Sequence, residues 1–329
     1  MPPWLKAEFQ RRLRLAAQRV LATQQPCVVG VTGSVGKTST VQAVGLVLSD
    51  RKRVRTSWQS YNNEIGVPLS VLDMPSPGRS LPGWWRVFRR ARQMSRRRDS
   101  SYPEVLALEL AADRPGDIAY LTSVVHPTVG VVTSVAPVHV EFFGDLSAVA
   151  REKSALIRQL PADGTAVLNA DDPMVLGMRK ETQAQAITYG FSPQAAVRAT
   201  DPTYVCQRTA GKGVLCAGMR ASLQFKGETA TLELPEVFGE QMLYPALAAV
   251  AVGVSFGMPL AATVAPLRSF TPPPGRMRLI AGIKGTTIID DSYNSSPLAA
   301  QAAVRTLSQV PSFEGRKFAV LGDMRELGQ

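Results

Sequence analysis

The apolar residues of this chain fall mainly into short continuous runs, which are separated by longer segments with helical spacing. Each run has the length of a strand and is apolar at consecutive positions, as expected of strands that are buried on both faces. Because such runs alternate with helices, we predict an α/β fold with a mostly parallel sheet covered by helices. The predicted strands are 27–29, 54–56, 105–110, 129–133 and 166–169.

The second half of the chain changes pattern. Short alternating runs broken by glycines over 196–234 predict a small antiparallel β insertion, and helices at 241–256 and 260–267 close the central domain. The proline-rich segment 271–275 predicts a stiff linker. We therefore expect three parts. They are a basic amphipathic helix at 1–25, a central domain at 26–271, and a partial, Rossmann-like C-terminal domain at 272–329.

A glycine-rich loop joins the first predicted strand to a predicted helix at 39–48. Its sequence, GVTGSVGKT over 30–38, places a lysine and a threonine directly at the start of that helix. Backbone N–H groups of such a loop surround nucleotide phosphates, the lysine contacts the β- and γ-phosphates, and the threonine hydroxyl holds Mg2+. A turn without a ligand would have no use for this pair. The candidate nucleotide-binding residues are Gly33, Ser34, Gly36, Lys37, Thr38 and Ser39.

Composition and charge are unusual only in two segments. Hydrophobic residues make up 45% of the 329 and charged residues 19%, as in ordinary globular proteins. Residues 1–25 carry five basic side chains against one glutamate, and residues 84–98 carry seven arginines and no acid, which together account for the net charge of +11. Because the rest of the chain is neutral in balance, we predict no nucleic-acid partner. The three cysteines lack metal-ligand spacing, and we interpret them as reduced core residues.

Both basic segments are amphipathic. A basic helix with aromatic residues on its apolar face is typical of a segment that lies on an anionic bilayer. The alternative is that each apolar face packs on the protein and the arginines are solvated. The apolar positions are Leu5, Phe9, Leu13, Ala16 and Val20 in the first segment, and Trp84, Val87, Phe88, Ala91 and Met94 in the second.

Polar residues near the ends of the predicted strands are candidates for chemistry, because ligands of parallel sheets bind at the carboxyl ends of strands. Glu109 lies near such an end, where a buried carboxylate needs a cation. His139 follows the next strand, and a structural role is as reasonable for it as a ligand role. Lys153 lies in the following helix and, by itself, is typical of a solvated surface lysine.

Several motifs of this chain resemble those of the Mur ligases, from about residue 26 to the end. The motifs are TGSVGKT (32–38), YNNEIGVP (61–68), LEL (108–110), RPGDI (114–118), LNADD (168–172), PGRM (274–277), DDSYNSSP (290–297) and VLGDMRELG (320–328).

The resemblance implies an ATP-dependent amide-bond ligase of peptidoglycan precursor synthesis in the cytoplasm. Its substrates would be a nucleotide-linked muramoyl tripeptide and D-alanyl-D-alanine, joined through an acyl phosphate, with ATP and Mg2+ as cofactors. We expect a monomer, at the inner membrane surface if the basic helices bind lipid. The implied catalytic residues are Lys37, Lys153, His139 and Arg276, and further nucleotide-binding residues are Asn169, Arg276 and Asp291. The implied substrate residues are Asn62, Asn63, Glu64, Tyr293 and Asn294, and the implied metal-binding residues are Thr38, Glu109, His139 and Lys153, a lysine that is carbamylated in many members.

The chain also departs from the family pattern. Ser134 replaces a common asparagine, and the run 239–249 lacks the asparagine that lies near the adenine in many members. The uridine-binding domain of the family has no counterpart, and the C-terminal part is predicted to hold only a strand at 286–290, a helix at 297–309 and a strand at 317–321. We expect so small a part to pack loosely, and hence ATP binding with poor ligation. Two alternatives stay open: a Mur-type ligase for another carboxylate, and a catalytically incomplete ATP-binding module that acts with a partner.

Overall fold

The computed structural model describes residues 2–58, 61–137, 143–209, 213–311 and 316–324. A nine-stranded sheet lies at its centre. The strands are β1 (Cys27–Thr32), β2 (Val54–Thr56), β3 (Val105–Glu109), β4 (Val129–Val132), β5 (Thr165–Asn169), β6 (Gln185–Gly190), β7 (Val197–Thr209), β8 (Gly213–Phe225) and β9 (Glu228–Pro235). Their order is β2-β3-β1-β4-β5-β6-β7-β8-β9.

Strands β1 to β7 pair in parallel, whereas β7, β8 and β9 form an antiparallel meander. The predicted fold class, a mostly parallel sheet covered by helices, is confirmed. The antiparallel strands extend the same sheet, because β6 also pairs with β7. Strand β6 lies outside the strands we predicted.

Cys206 in β7 is disulfide-bonded, so the interpretation of three reduced cysteines is wrong. Cys216 in β8 is its cross-strand neighbour.

Helices cover both faces of the sheet, and each face forms a hydrophobic core with its helices. The side chains of β1 alternate between these two cores. Val28 packs on one side and Val29 on the other, and both are at most 2% exposed. One side carries α1 (Pro3–Gln24), α3 (Gly66–Leu72), α4 (Leu81–Met94), α5 (Asp117–Val125), α6 (Leu146–Arg158) and α7 (Pro173–Gly177). The other side carries α2 (Lys37–Ser49), α8 (Leu243–Ser255) and α9 (Leu260–Val264).

The two basic segments form α1 and α4, which pack side by side. The ring of Phe9 lies 4.6 Å from that of Trp84, and the Gln24 side chain donates to the carbonyl of Met94 at 2.5 Å. The N-terminal halves of the two helices thus meet each other, as do their C-terminal halves, so the helices run parallel. Most of the apolar positions that suggested a bilayer lie in this core instead; Leu13 and Val87, for example, are fully buried. Within the described ranges, no helix is both long and apolar enough to cross a membrane.

The C-terminal part contains a hairpin, β10 (Arg278–Ala281) with β11 (Thr287–Asp290), and the helix α10 (Pro297–Gln309). It contacts the central domain at a few positions, and Thr306 is the one buried residue of α10, so loose packing stays a prediction. The Gln241 side chain donates to the Thr306 hydroxyl at 3.0 Å, Val237 forms a bridge with Arg278, and Met277 is only 3% exposed.

The strand predicted over 317–321 is not formed, since residues 316–324 belong to neither a helix nor a strand. A strand needs a partner for its backbone hydrogen bonds, and none lies beside this segment in the described part of the chain. Its apolar side chains remain in solvent accordingly, and Val320 is 97% exposed.

Candidate nucleotide-binding site

The glycine loop lies between β1 and α2, as the sequence predicts. Gly36 has a φ of 88°, and a Cβ at Gly33 would lie 1.9 Å from the Thr133 hydroxyl oxygen, so both positions favour glycine. Helix α2 begins at Lys37 without a side-chain cap. Its first N–H groups are therefore left for a ligand, and the positive end of the helix favours an anion.

Residues that follow β4 brace this loop. The Thr133 hydroxyl donates to the Val35 carbonyl at 2.6 Å, and the Ser134 hydroxyl accepts from the Val35 N–H at 3.1 Å. The Asn169 side chain donates to the Thr133 carbonyl at 2.9 Å and accepts from the Asp171 N–H at 3.0 Å. Asn169 therefore supports the loop from behind. We missed Thr133 in the sequence, although a polar residue directly after a buried strand was a usable signal.

The Lys37 ammonium lies over the loop. Its Nζ donates to the carbonyls of Gly33 at 2.8 Å and Ser34 at 3.3 Å. Burial lowers the pKa of Lys37, and the charge of Glu109 opposes this change. A lysine in this position can exchange the two neutral carbonyls for the charged oxygens of a phosphate, which bind an ammonium more strongly.

Glu109 is only 6% exposed and holds its carboxylate at the end of β3. The Thr38 hydroxyl donates to one oxygen at 2.7 Å, and the Asn62 amide donates to the other at 2.9 Å. A hydroxyl and a carboxylate are oxygen ligands that suit Mg2+. No cluster of three or more His, Cys, Asp and Glu side chains occurs in the described residues. This arrangement fits a magnesium ion held mainly by phosphates and water, with few protein ligands.

Lys153 is only 4% exposed in α6, so the sequence-based view of a solvated lysine is wrong. Burial, followed by the nearby charge of Lys37, lowers the pKa of Lys153 to about 7. Its neighbour Glu152 does not neutralise it fully, because the Glu152 carboxylate accepts the N–H groups of Gly116 and Ile118, both at 2.7 Å, at the start of α5. Lys153 can therefore be a neutral, nucleophilic amine near neutral pH.

Arg276 brings the C-terminal part to the same site. Its guanidinium lies 4.4 Å from the centre of the Tyr293 ring, and its charge lowers the pKa of Lys37 further. Asp291 accepts the Met277 N–H at 3.2 Å, and burial raises the pKa of Asp291. Arg276 and Asp291 thus lie near each other, and the charge of Arg276 acts on the lysine of the phosphate loop.

Other candidate residues have different surroundings. Asn63 accepts two backbone N–H groups, at 3.2 and 2.9 Å, and so fixes the start of α3. The Glu64 carboxylate accepts from Gln10 of α1 at 2.9 Å. Asn294 is exposed and accepts the next backbone N–H at 2.9 Å. His139 lies outside the described residues. Asn62 is thus the one residue of the YNNEIGVP motif that bonds to Glu109 in the described structure.

The sequence matches two domain families. Residues 31–81 and 87–253 match the Mur ligase middle domain, and residues 275–329 match the Mur ligase glutamate ligase domain. The UDP-N-acetylmuramoyl-tripeptide–D-alanyl-D-alanine ligase of Mycobacterium tuberculosis (strain H37Rv) is 32% identical over 92% of this chain and 53% of its own length. The Escherichia coli (strain K12) ligase of the same name is 31% identical over 92% and 58%.

Solved structures agree with these matches. MurF from Acinetobacter baumannii superposes with a TM-score of 0.78 at 25% identity, covering 96% of this chain and 61% of that one. MurF from Thermotoga maritima in complex with ADP gives 0.75 at 29% identity, covering 97% and 64%. The chain spans little more than half the length of the relatives it matches in sequence. The matched domains cover most of its residues, and the chain belongs to the Mur ligase family.

Proposed function

We propose that this protein is an ATP-dependent ligase that joins D-alanyl-D-alanine to UDP-N-acetylmuramoyl-tripeptide. The relatives that carry this name support the choice of substrates. The observation that carries the chemistry is the cluster of Lys37, Thr38 and Glu109 at an uncapped helix start. A carboxylate oxygen of the peptide would attack the γ-phosphorus of ATP and release ADP. The dipeptide amine would then attack the acyl carbon and release phosphate.

The residues of this chain fit ATP. The solved structure of the Thermotoga relative contains ADP, which supports this proposal. We propose that loop N–H groups and Lys37 bind the phosphates, while Thr38 and Glu109 hold Mg2+, which neutralises phosphate charge when bound. Asn62 keeps the Glu109 carboxylate oriented. Phosphoryl transfer depends mainly on positioning and charge neutralisation. This explains why the proposed transfer relies on cations and metal ligands and uses no side-chain nucleophile in the phosphoryl step.

Lys153 and Arg276 would complete the site. The neutral amine of Lys153 can react with CO2 to give a carbamate, whose negative charge would help to place a magnesium ion. Arg276 and Asp291 would contact the nucleotide from the C-terminal part, with the proline-rich segment 271–275 as the boundary between the domains. We propose a monomer that acts in the cytoplasm, where ATP and nucleotide-linked precursors are found.

The proposed reaction is tested by incubating the full chain with ATP, Mg2+, UDP-N-acetylmuramoyl-tripeptide and D-alanyl-D-alanine. We expect the peptide product by mass spectrometry, in a smaller amount than the released phosphate, because a loosely packed C-terminal part leaves the acyl phosphate open to water. Product only with another carboxylate would favour a different substrate. Phosphate release without any peptide product would contradict ligation by this chain and favour an incomplete ATP-binding module.

The metal site gives a separate prediction. Glu109→Gln replaces one carboxylate oxygen by an amide nitrogen and removes a negative charge, so we expect half-maximal activity to require about tenfold or more Mg2+. ATP binding measured without Mg2+ should change little. Glu104→Gln, at a partly exposed glutamate that pairs with Lys52 and Arg53 just before β3, is the matched control and should leave the magnesium titration unchanged. Superimposable titrations of the parent and Glu109→Gln would contradict this metal site.

We also propose that the enzyme associates with the surface of an anionic membrane. The apolar faces that first suggested this lie largely in the core, but the arginines of α1 and α4 are concentrated on one side of the molecule, where these helices cover the sheet. An anionic bilayer attracts such basic helices, at about 1 kcal/mol for each arginine near the surface.

A further inference from the structure

We propose that the groove between α1 and α4 binds the phosphate headgroup of an anionic phospholipid at the bilayer surface. This inference rests on the proposed membrane association and is independent of the ligase chemistry. The groove lies outside the nucleotide site, and none of the residues that line it takes part in the proposed reaction.

The parallel packing of the two helices creates this groove. It has a volume of about 620 Å3, and it is lined by one stripe of side chains, three or four residues apart, on each helix. The stripe of α1 consists of Arg12, Leu15, Ala16 and Arg19, and that of α4 consists of Phe88, Ala91 and Arg92, followed by Ser95 directly after the helix. Apolar side chains thus form the floor, and three arginines stand at the rim. This combination suits an amphiphile whose polar end is anionic.

The charges at the rim are available for a ligand. Arg12 is paired with Glu8 at 2.7 Å, but Arg19 and Arg92 form no ion pair with any residue that the structure describes. Both are exposed, and no acidic side chain lines the groove. Two guanidinium groups that line one groove, one from each helix, suit a phosphate, which arginine binds in a bidentate manner.

Apolar side chains continue both stripes toward the N-terminal ends of the helices. Leu5 lies seven residues before Arg12 and is 40% exposed, and Trp85 lies seven residues before Arg92 and is 64% exposed. Trp4 and Leu81 extend the same end and are 71% and 82% exposed. Tryptophan is favoured at the level of lipid headgroups. Exposed tryptophan and leucine beside an arginine-rimmed groove favour a lipid surface over a soluble phosphate or a nucleic acid.

The test is co-sedimentation of the full chain with vesicles of phosphatidylcholine, with and without 30% phosphatidylglycerol. We expect binding to the anionic vesicles to be at least tenfold stronger. The double variant Arg19→Gln/Arg92→Gln should lose about tenfold of this binding. The control variant Arg179→Gln/Arg305→Gln removes the same charge from exposed positions outside the groove and should lose much less. A third variant, Trp85→Ser, keeps the charge and should also weaken binding.

The possible results distinguish membrane association in general from phosphate binding in the groove. If the parent chain does not distinguish anionic from neutral vesicles, membrane association is contradicted. If the groove and control variants lose binding equally, attraction is a property of net charge and the groove is not a site. ATP-dependent turnover in solution should be the same for all variants, since none touches the nucleotide site. A variant whose turnover falls together with its vesicle binding is misfolded, and Arg92→Lys, which keeps the charge, is then compared with the parent. Weaker vesicle binding at unchanged turnover supports phosphate binding by Arg92, and parental vesicle binding contradicts it.

Discussion

Lys37→Ala is expected to lower ATP-dependent turnover by at least about 100- to 1000-fold, the usual cost of removing one group that stabilises transferring charge. The reason is local. Among the residues that the structure describes, Lys37 Nζ donates to the carbonyls of Gly33 and Ser34, at 2.8 and 3.3 Å, and both carbonyls belong to the phosphate loop itself. Without the ammonium, negative charge that develops on the transferring phosphoryl group loses the cation of the phosphate loop.

The same variant should remain folded. Burial lowers the pKa of Lys37, which means that the folded state holds this charge at a cost, and removal of the side chain relieves that cost. We therefore expect the Tm of Lys37→Ala to equal or exceed that of the parent, measured by circular dichroism. Lys180→Ala, at an exposed position, is the control for turnover. A variant with parental turnover, or one that is unfolded, would be inconsistent with this role.

The sequence predicted the parallel strands β1 to β5 and the phosphate loop because local signals specify both. Continuous apolar runs mark strands that are buried on two faces, and a lysine and threonine at a helix start have a specific use. Glu109 was found by the same logic, since a carboxylate at the end of a buried strand needs a partner. Thr38 and Asn62 provide those partners by hydrogen bonds.

The remaining features depend on contacts between distant parts of the chain, which a single sequence does not display. The spacing of apolar residues in α1 and α4 showed that each helix has one apolar face, but not that Phe9 and Trp84 face each other. Lys153 has charged neighbours in sequence, and its burial arises only when α6 packs on the sheet. The predicted strand over 317–321 is wrong because its sequence suits a strand, but the described structure has no strand beside it to pair with.

The burial of Lys153 leads to a prediction about pH. With a pKa of about 7, the amine is protonated and unreactive toward CO2 in mild acid and becomes neutral as the pH rises through 7. We expect turnover to rise over this range and to depend on added bicarbonate at low CO2. Lys153→Met should lower turnover by about 100-fold and should remove the response to bicarbonate. A bicarbonate response that survives in Lys153→Met would exclude this lysine as the site of carbamate formation.

Stability gives an independent measurement of the same pKa. Because the folded pKa of Lys153 lies below the ordinary value of 10.5, the unfolded chain holds a proton between pH 7 and 10.5 that the folded chain has lost. Below about pH 7 the amine is charged in both states, and burying that charge destabilises the folded state in full. As the pH rises from 7 to 10.5, linkage requires this destabilisation to become smaller, so the free energy of unfolding rises. In CO2-free buffer, the unfolding free energy of the parent should therefore increase relative to Lys153→Met between pH 7 and 10. The exposed variant Lys180→Met should show no such change. A difference between parent and Lys153→Met that stays constant with pH would mean that Lys153 keeps its proton when the protein folds, and its proposed reaction with CO2 would lose its basis.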